Sequence, residues 1–420
     1  MQESRPERAV RSRGGWPAES RSASRTGWLI AGVALGLMPV HAAAQEAQDA
    51  PGWDYDGSRR GLEWSNPETG SFFWVGGRAQ VRYSTLPVTP RDLSDFAAPS
   101  DDDLDINRAR FKIEGGLHET ISLYHEYDLR NDRVLDLRAT YTPASVFHLR
   151  AGQWKAEFNR ARVDSSGKQQ FVERSIATYW FTIDRQQGLV ASGRVGAGEA
   201  WDSSYWAGAL VGDGRGASGD GGEPMWLARW QWNFTRSVLP FSQSALQRYE
   251  EARGSLAFAY VTNESGYTRF SSNGGGQLPG YADGDDDRYR VDQFLQEYAW
   301  QKGGVSLQQE LHWKRIHDRA SDRTDTLSGG YAQAGWFPNE RWTTVSPRLE
   351  FAVRAALVAP ERREDGSPGA SLSEEYTLGS NWFFNGHRNK LSADLSYLAI
   401  DDSFSDRSDV RLQVQWDVSF

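Results

Sequence analysis

The last eleven residues of the chain, Val410-Arg-Leu-Gln-Val-Gln-Trp-Asp-Val-Ser-Phe420, alternate strictly between apolar and polar side chains. Every even position is apolar and every odd position is polar. This period of two is typical of a β-strand whose two faces meet different environments. The length is also about that of a tilted strand crossing a membrane, roughly 9–11 residues. Since soluble domains seldom end inside an ordered apolar strand, the stretch favours a membrane β-barrel.

The same alternation recurs through most of the chain, and no helical period competes with it over a long stretch. The segments predicted as strands are 72–83, 104–115, 119–130, 133–142, 146–154, 188–196, 203–212, 226–236, 253–263, 289–301, 304–316, 326–336, 345–358, 373–384, 389–400 and 409–420. We therefore predict an all-β fold, a transmembrane antiparallel β-barrel of about sixteen strands.

The connections between these segments support the same fold. Even-numbered connections are mostly short, as at Lys302–Gly304, whereas odd-numbered ones such as 155–187 and 264–288 are longer. Outer-membrane barrels have short periplasmic turns and long external loops. The odd connections are therefore predicted to be external and both termini periplasmic. The sixth connection, 237–252, is long for a periplasmic turn.

The N-terminus carries an apolar run of about 13 residues, Trp28–Val40, followed by Ala42-Ala43-Ala44. This pattern predicts a secretory signal peptide at 1–44, with a short membrane anchor as the alternative. A periplasmic segment at 45–71 and a barrel domain at 72–420 would follow. Export to a bacterial outer membrane agrees with the absence of cysteine.

Composition excludes several classes of function. The formal net charge of −9 argues against nucleic acid as a partner. Without cysteine there is no thiolate metal site, and the histidines lack metal-ligand spacing, so no metal or cofactor is expected. No sequence motif for catalysis is present, and we expect a protein that is not an enzyme. Mean hydropathy of −0.65 argues against a helical membrane protein.

Strand parity sends a series of basic residues to the inner, wetted face of the predicted barrel. The expected channel-lining residues are Arg78, Arg82, Arg108, Arg110, Lys112, Arg130, Arg138, Arg150 and Arg194. The third external connection and its edges add Lys155, Arg160, Arg162, Lys168, Arg174 and Arg185. Arginine offers a permanent charge and a donor fork that matches phosphate oxygens. Inward acids such as Glu126 and Asp136 could pair with these cations, so each arginine is open to a purely structural role.

Three motifs resemble the phosphate-selective porins of the O/P type. The first is Gly152-Gln-Trp-Lys-Ala-Glu-Phe158 with Ser165-Ser166 and Phe171-Val-Glu-Arg174; the others are Phe73-Trp-Val-Gly-Gly-Arg-Ala-Gln80 and Leu239-Pro-Phe-Ser242. The resemblance covers about residues 60–420. It implies a sixteen-stranded homotrimeric outer-membrane porin whose third external loop folds into the lumen, with a preference for phosphate or polyphosphate. Glu157 departs from the family pattern, in which a proline is expected.

The sequence thus predicts an anion-preferring aqueous channel for phosphate or polyphosphate-like solutes. Its expected partners are small anions, outer-membrane lipid and lipopolysaccharide, and two further copies of the chain. Two alternatives stay open at this point. One is a general or carbohydrate-taking porin whose aromatic track would be Phe158, Phe171, Tyr179, Trp180 and Phe181. The other is an outer-membrane barrel enzyme.

Overall fold

The computed structural model describes residues 52–56, 61–86, 103–217, 223–271, 275–285, 287–359, 361–364, 371–402 and 405–420. Within these ranges, no helix is long and apolar enough to cross a membrane. The predicted signal peptide, 1–44, lies outside the described residues.

Nineteen strands are found in the described ranges. Their bounds are β1 Gly52–Asp56, β2 Gly61–Asn66, β3 Ser71–Ser84, β4 Asp103–Leu117, β5 Ile121–Asp128, β6 Arg133–Ala144, β7 Phe147–Lys155, β8 Arg185–Val195, β9 Ser203–Leu210, β10 Met225–Trp232, β11 Arg253–Ser265, β12 Tyr289–Lys302, β13 Val305–Asp318, β14 Arg323–Trp336, β15 Leu349–Val358, β16 Arg362–Arg363, β17 Leu372–Asn385, β18 Asn389–Asp402 and β19 Ser405–Ser419. Two short helices, α1 Arg160–Val163 and α2 Ala177–Phe181, lie between β7 and β8. A 3-10 turn, Pro338–Glu340, follows β14.

Sixteen of these strands, β3–β15 and β17–β19, form one closed antiparallel barrel. Each pairs with the next along the chain. The circle closes because β19 pairs with β3, placing Trp416 opposite Val81 and Ser419 opposite Arg78. Closure leaves no unpaired sheet edge, which a bilayer would not tolerate. The predicted fold class and strand number are confirmed.

The seam of the barrel contains the last residue of the chain. Gly77 N donates to Phe420 O at 3.0 Å, and Phe420 N donates back to Gly77 O at 3.1 Å. A Cβ atom at position 77 would lie 2.4 Å from the Phe420 ring. Glycine therefore lets the terminal aromatic ring pack on the first barrel strand.

Two additions to the barrel were not predicted. Strands β1 and β2 form a hairpin, and β2 continues onto the start of β3, with Leu62 opposite Val75. This hairpin lies within the segment that the sequence assigned only to the periplasm. The two-residue strand β16 pairs with β14, with Arg362 opposite Thr326.

The two faces of the strands differ as the alternation predicted. On β19, Leu412 and Trp416 are exposed on the outside, whereas Arg411, Gln413 and Asp417 are almost fully buried on the inside. Apolar side chains facing outward and polar ones facing inward are typical of a transmembrane barrel. The inward polar side chains are buried because the connection between β7 and β8, residues 156–184, lies against the inner face of the barrel.

Candidate functional site

The connection between β7 and β8, residues 156–184, lies against the inward face of strands far from β7 in the barrel order. Carboxylates on five of these strands accept hydrogen bonds from it, four of them from backbone N–H groups. The bonds are Arg160 N to Glu297 on β12 (2.8 Å), Ala161 N to Glu310 on β13 (2.7 Å), Gln170 Nε2 to Glu350 on β15 (2.8 Å), Ile176 N to Glu375 on β17 (2.8 Å) and Val172 N to Asp394 on β18 (2.8 Å). Charge-assisted bonds of this kind are about twice as strong as neutral ones, so the connection is firmly held.

Apolar side chains and small inward residues complete this packing. Phe158, Phe171 and Phe181 are at most 2% exposed. A Cβ atom at Gly335 would lie 1.9 Å from Gln170 Nε2, so glycine there lets the connection approach the wall. Trp180 is also buried, and these four rings are therefore not available as an aromatic track for sugars. The guanidinium of Arg269 covers the remaining ring, Tyr179, at 4.9 Å.

A cavity of about 260 Å³ lies between this connection and strands β4–β6. Its wall is dominated by cations, with one carboxylate, Asp128, among them. The lining residues are Asn107, Arg108, Arg110, Asp128, Arg130, Asn131, Arg133, Lys155, Arg162, Ser166, Arg174 and Arg185. We call this space the cationic cavity.

Nine of the fifteen predicted basic residues have a carboxylate within 4.0 Å, and Arg138 and Arg185 share one, Asp136. The pairs are Arg82–Glu173, Arg110–Glu126, Arg130–Asp105, Arg138–Asp136, Arg150–Glu157, Arg160–Glu297, Arg162–Asp184, Arg185–Asp136 and Arg194–Asp202. Glu157, the departure from the family pattern, also accepts a bond from Trp154 Nε1 at 2.9 Å. Arg194 lies nine residues along β8 from Arg185, roughly 30 Å away at the strand's usual rise.

Five of the predicted basic residues have no carboxylate at ion-pair distance among the described residues. Arg78 donates to the hydroxyls of Ser165 and Ser166 at 2.9 and 2.8 Å, and Arg108 donates to Gln80 Oε1 at 2.9 Å. The other three are Lys112, Lys155 and Arg174. Lys155 donates to the backbone carbonyl of Asp164 at 3.0 Å. Arg174 donates to the carbonyls of Ala161 at 2.7 Å and Asp164 at 3.0 Å. Lys168, the remaining one of the fifteen predicted basic residues, is half-buried in the turn after Ser166. Positive charge is thus concentrated in excess at the cavity.

Titration of groups on the connection reflects this excess. Burial and the neighbouring Arg162 and Arg108 hold the pKa of Arg174 well below its usual value. Burial alone would raise the pKa of Glu173, but Arg108 and Arg82 lower it. Crowded like charges disfavour the charged form of each other. An anion entering the cavity would relieve that repulsion.

Sequence parity missed one basic residue of the cavity, Arg133. A β-bulge lies at Leu135, because Glu126 pairs with Asp136 while Tyr127 pairs with Val134. A bulge adds one residue to a strand and reverses the inward parity beyond it. The acidic residue Asp136 is buried on the inside, and Arg133 comes inward as well. The alternation does mark the extra residue, because Val134 and Leu135 are consecutive apolar residues in an otherwise alternating segment.

Later strands also carry inward cations, and these bind the connection. Arg229 donates to Phe158 O at 2.9 Å, Lys314 to Trp180 O at 3.1 Å, and Arg354 to Glu173 O at 3.0 Å. Arg229 and Arg354 also pair with Glu297 and Glu375. The two sides of the barrel thus use their cations differently: the far side anchors the connection, and β4–β6 with the connection surround the cavity.

A closed antiparallel barrel with an apolar outer face and a charged interior is typical of an outer-membrane β-barrel protein. The chain belongs to the phosphate-selective porin O and P family, whose model matches residues 75–416. It is accordingly a channel and not an enzyme.

Solved structures of low identity share the fold. The loop L8 deletion mutant of OmpT, an outer membrane protein of Vibrio cholerae, is 9% identical with a TM-score of 0.56, covering 83% of this chain and 99% of that chain. An anion-selective porin from Comamonas acidovorans is 12% identical with a TM-score of 0.52, covering 83% and 100%. The outer membrane channel DcaP of Acinetobacter baumannii is 12% identical with a TM-score of 0.52, covering 83% and 97%. No curated protein sequence matches the chain.

Proposed function

We propose that the barrel conducts small anions in preference to cations, with phosphate as the favoured solute and polyphosphate-like solutes in the same class. The observation that supports this most is the set of cations around the cationic cavity that have no carboxylate at ion-pair distance among the described residues. Arg108, Lys155 and Arg174 all belong to it, and all three line the cavity. A mobile anion is the counter-charge that this wall lacks.

The chemistry of the wall suits a tetrahedral oxyanion. Guanidinium groups match phosphate oxygens with paired N–H donors, and the hydroxyl of Ser166 in the same wall can donate one more bond. Arg78, opposite Arg110 in the strand register, and Lys112, two residues further along β4, extend the charge beyond the cavity. Several weak positions in series allow an ion both to enter and to leave, as conduction requires.

In this proposal, residues 156–184 constrict the channel. The hydrogen bonds to five strands support the idea, because a mobile segment could not fix the width of an aqueous path. Of the six predicted basic residues at this connection, Lys155, Arg162, Arg174 and Arg185 line the cavity. Arg160 is instead buried against Glu297, so its role is to anchor the segment.

The proposal extends to the partners of the channel. The family and the trimer form of in-vitro folded OmpT, which shares the fold, support a homotrimer here. Its apolar outer face would meet outer-membrane lipid and lipopolysaccharide. Cross-linking of the protein in isolated outer membranes should yield a species of three chains, and a monomer under all conditions would contradict this part.

Planar-bilayer recording tests the conduction proposal. In a potassium chloride gradient, the reversal potential of the wild-type channel should have the sign of chloride permeation. Added phosphate should reduce the chloride current at concentrations where added acetate does not, because acetate offers one carboxylate in place of a tetrahedral array of oxygens. A potassium-selective reversal potential, or equal effects of phosphate and acetate, would refute the proposal.

A further inference from the structure

A continuous groove runs along the outer face of the barrel over β13, β14, β15 and β17. It consists of three adjoining depressions of about 690, 410 and 660 Å³. The first two share Trp313 and Ser328, and the last two share Ala332, Ala355 and Tyr376. We call it the outer groove.

The sequence of β14 explains its shape. Four successive outward positions are Ser328, Gly330, Ala332 and Ala334, which form a shallow floor. Larger side chains rise on both sides. On β13, Trp313, Leu311 and Leu307 stand opposite Ser328, Gly330 and Ala334. Across the floor, Ala355 on β15 leads to Tyr376 on β17.

The floor of the outer groove is about as long, measured along the membrane normal, as one membrane leaflet is thick. From Ser328 to Ala334 is six residues, or about 20 Å at the usual rise along a strand. A strand tilt of roughly 40° reduces this to about 15 Å along the membrane normal, which is half of a hydrocarbon core about 30 Å thick. The floor begins at Ser328, toward the end of the barrel opposite both termini, and extends from there along β14 into the hydrocarbon core.

Two arginines lie at that end of the groove. Arg315 on β13 is opposite Thr326 on β14, and Thr326 is opposite Arg362 on β16. Two strand spacings separate the arginines, about 10 Å. Both are exposed on the outside, and neither has a carboxylate at ion-pair distance among the described residues.

An aromatic row marks the membrane interface just below these arginines. Tyr260, Phe294 and Trp313 are register neighbours on β11, β12 and β13, all exposed outward. Aromatic rings at this position are typical of the level of lipid headgroups. The two acids that line this part of the groove already have partners, since Tyr260 donates to Asp292 at 2.7 Å and Tyr281 donates to Glu361 at 2.5 Å.

We propose that the outer groove binds a phosphate-bearing lipid of the outer leaflet, with an acyl chain along β14 and the phosphate between Arg315 and Arg362. Charge complementarity selects this occupant over a second copy of the chain, because a lipid phosphate supplies the anion directly at headgroup level. The inference rests on the outer-membrane position of the barrel and not on anion conduction, so the two can fail separately.

Native mass spectrometry of the full mature protein in a nonionic detergent tests the inference, with diphosphoryl hexa-acyl lipid A as the probe. We expect wild-type protein to retain the lipid and the double variant Arg315→Gln/Arg362→Gln to bind it about tenfold more weakly, as expected for lost charge-assisted bonds. Ala332→Phe, which fills the floor, should lower retention to a similar degree. Inorganic phosphate at millimolar concentration should not displace the lipid.

Two control variants match these substitutions. Arg348→Gln removes an exposed arginine in the turn before β15, at the other end of the barrel, and Ala228→Phe adds the same bulk to the outer face of β10. Both should retain lipid like the wild type, and all variants should keep wild-type conductance. Equal retention by every variant would overturn the inference, as would displacement by inorganic phosphate. Dissociation of an oligomer by Ala332→Phe with unchanged lipid binding would overturn it in favour of a protein interface.

Discussion

Replacing Arg108 by Gln should weaken the block of chloride current by phosphate about tenfold. Arg108 lines the cationic cavity, and among the described residues its guanidinium donates only to the side chain of Gln80. The substitution removes one full charge from the wall but keeps a polar side chain. No carboxylate loses a direct ion-pair partner, so the change should act on the visiting anion more than on the fold.

The size of the cavity sets the magnitude. A volume of about 260 Å³ corresponds to a sphere with a radius of about 4 Å, so an ion at its centre lies roughly 5 Å from a charge in the wall. At that distance one charge contributes about 0.8 kcal/mol with the screening of bulk water and about 3 kcal/mol at an effective dielectric constant of about 20. A tenfold change, about 1.4 kcal/mol, lies inside these limits.

The assay measures single-channel chloride current against phosphate concentration for the wild type, Arg108→Gln and Arg108→Lys. The control is Arg290→Gln, which removes an exposed arginine on the outer face of β12. The lysine variant keeps the charge and should stay within about threefold of the wild type, because it loses only the planar donor fork. The control should match the wild type. If the same phosphate concentration blocks the Arg108→Gln channel and the wild-type channel, and the open conductance is unchanged, the cavity is not the phosphate site.

Three further predictions concern the connection and the wall. Burial raises the pKa of Asp164 to about 6. Acidification from about pH 7.5 to about pH 5 should therefore protonate this carboxylate and increase anion selectivity. Because the folded-state pKa is raised, this group contributes stability that is fully present below about pH 4 and is lost as the pH rises through about 6. Asp164→Asn should remove this pH dependence of the reversal potential. Glu297→Gln leaves the buried Arg160 and Arg229 without their carboxylate and should cost about 3–5 kcal/mol, seen as a lower urea midpoint and a noisier open current; an unchanged midpoint would contradict the anchoring role. Leu395→Arg on the outer face should cost about 2–4 kcal/mol of folding free energy in lipid bilayers, and a neutral result by urea titration would contradict its outward placement.

The alternation of residues was sufficient to predict the barrel because a transmembrane strand must present a different face to lipid and to water. Leu412 and Gln413 show why: exchanging them would place an amide in hydrocarbon. The same logic located most basic residues on the inner face. It failed at Leu135, where a bulge shifts parity; the consecutive apolar residues Val134 and Leu135 are the sign of that bulge in the sequence.

Pairing of charges could not be predicted, since it depends on which strands meet across the lumen. Arg160 and Glu297 are separated by 137 residues and are in direct contact. Arg108 and Arg110 look equivalent in sequence, yet Arg110 pairs with Glu126 and Arg108 has no carboxylate at ion-pair distance among the described residues. The sequence thus predicted which basic residues are candidates for lining the channel. The path of residues 156–184 determines which of these cations have no carboxylate nearby among the described residues.

The seam between Gly77 and Phe420 has a consequence for biogenesis. Its two hydrogen bonds join residues 343 positions apart (420 − 77), so the first barrel strand has no final partner until the whole chain has been exported. Contacts of such long separation form slowly, and an open sheet edge invites pairing with other chains. The periplasmic folding machinery must therefore shield β3 throughout export, and a polypeptide shortened by even its last strand would leave that edge exposed for as long as the protein survives.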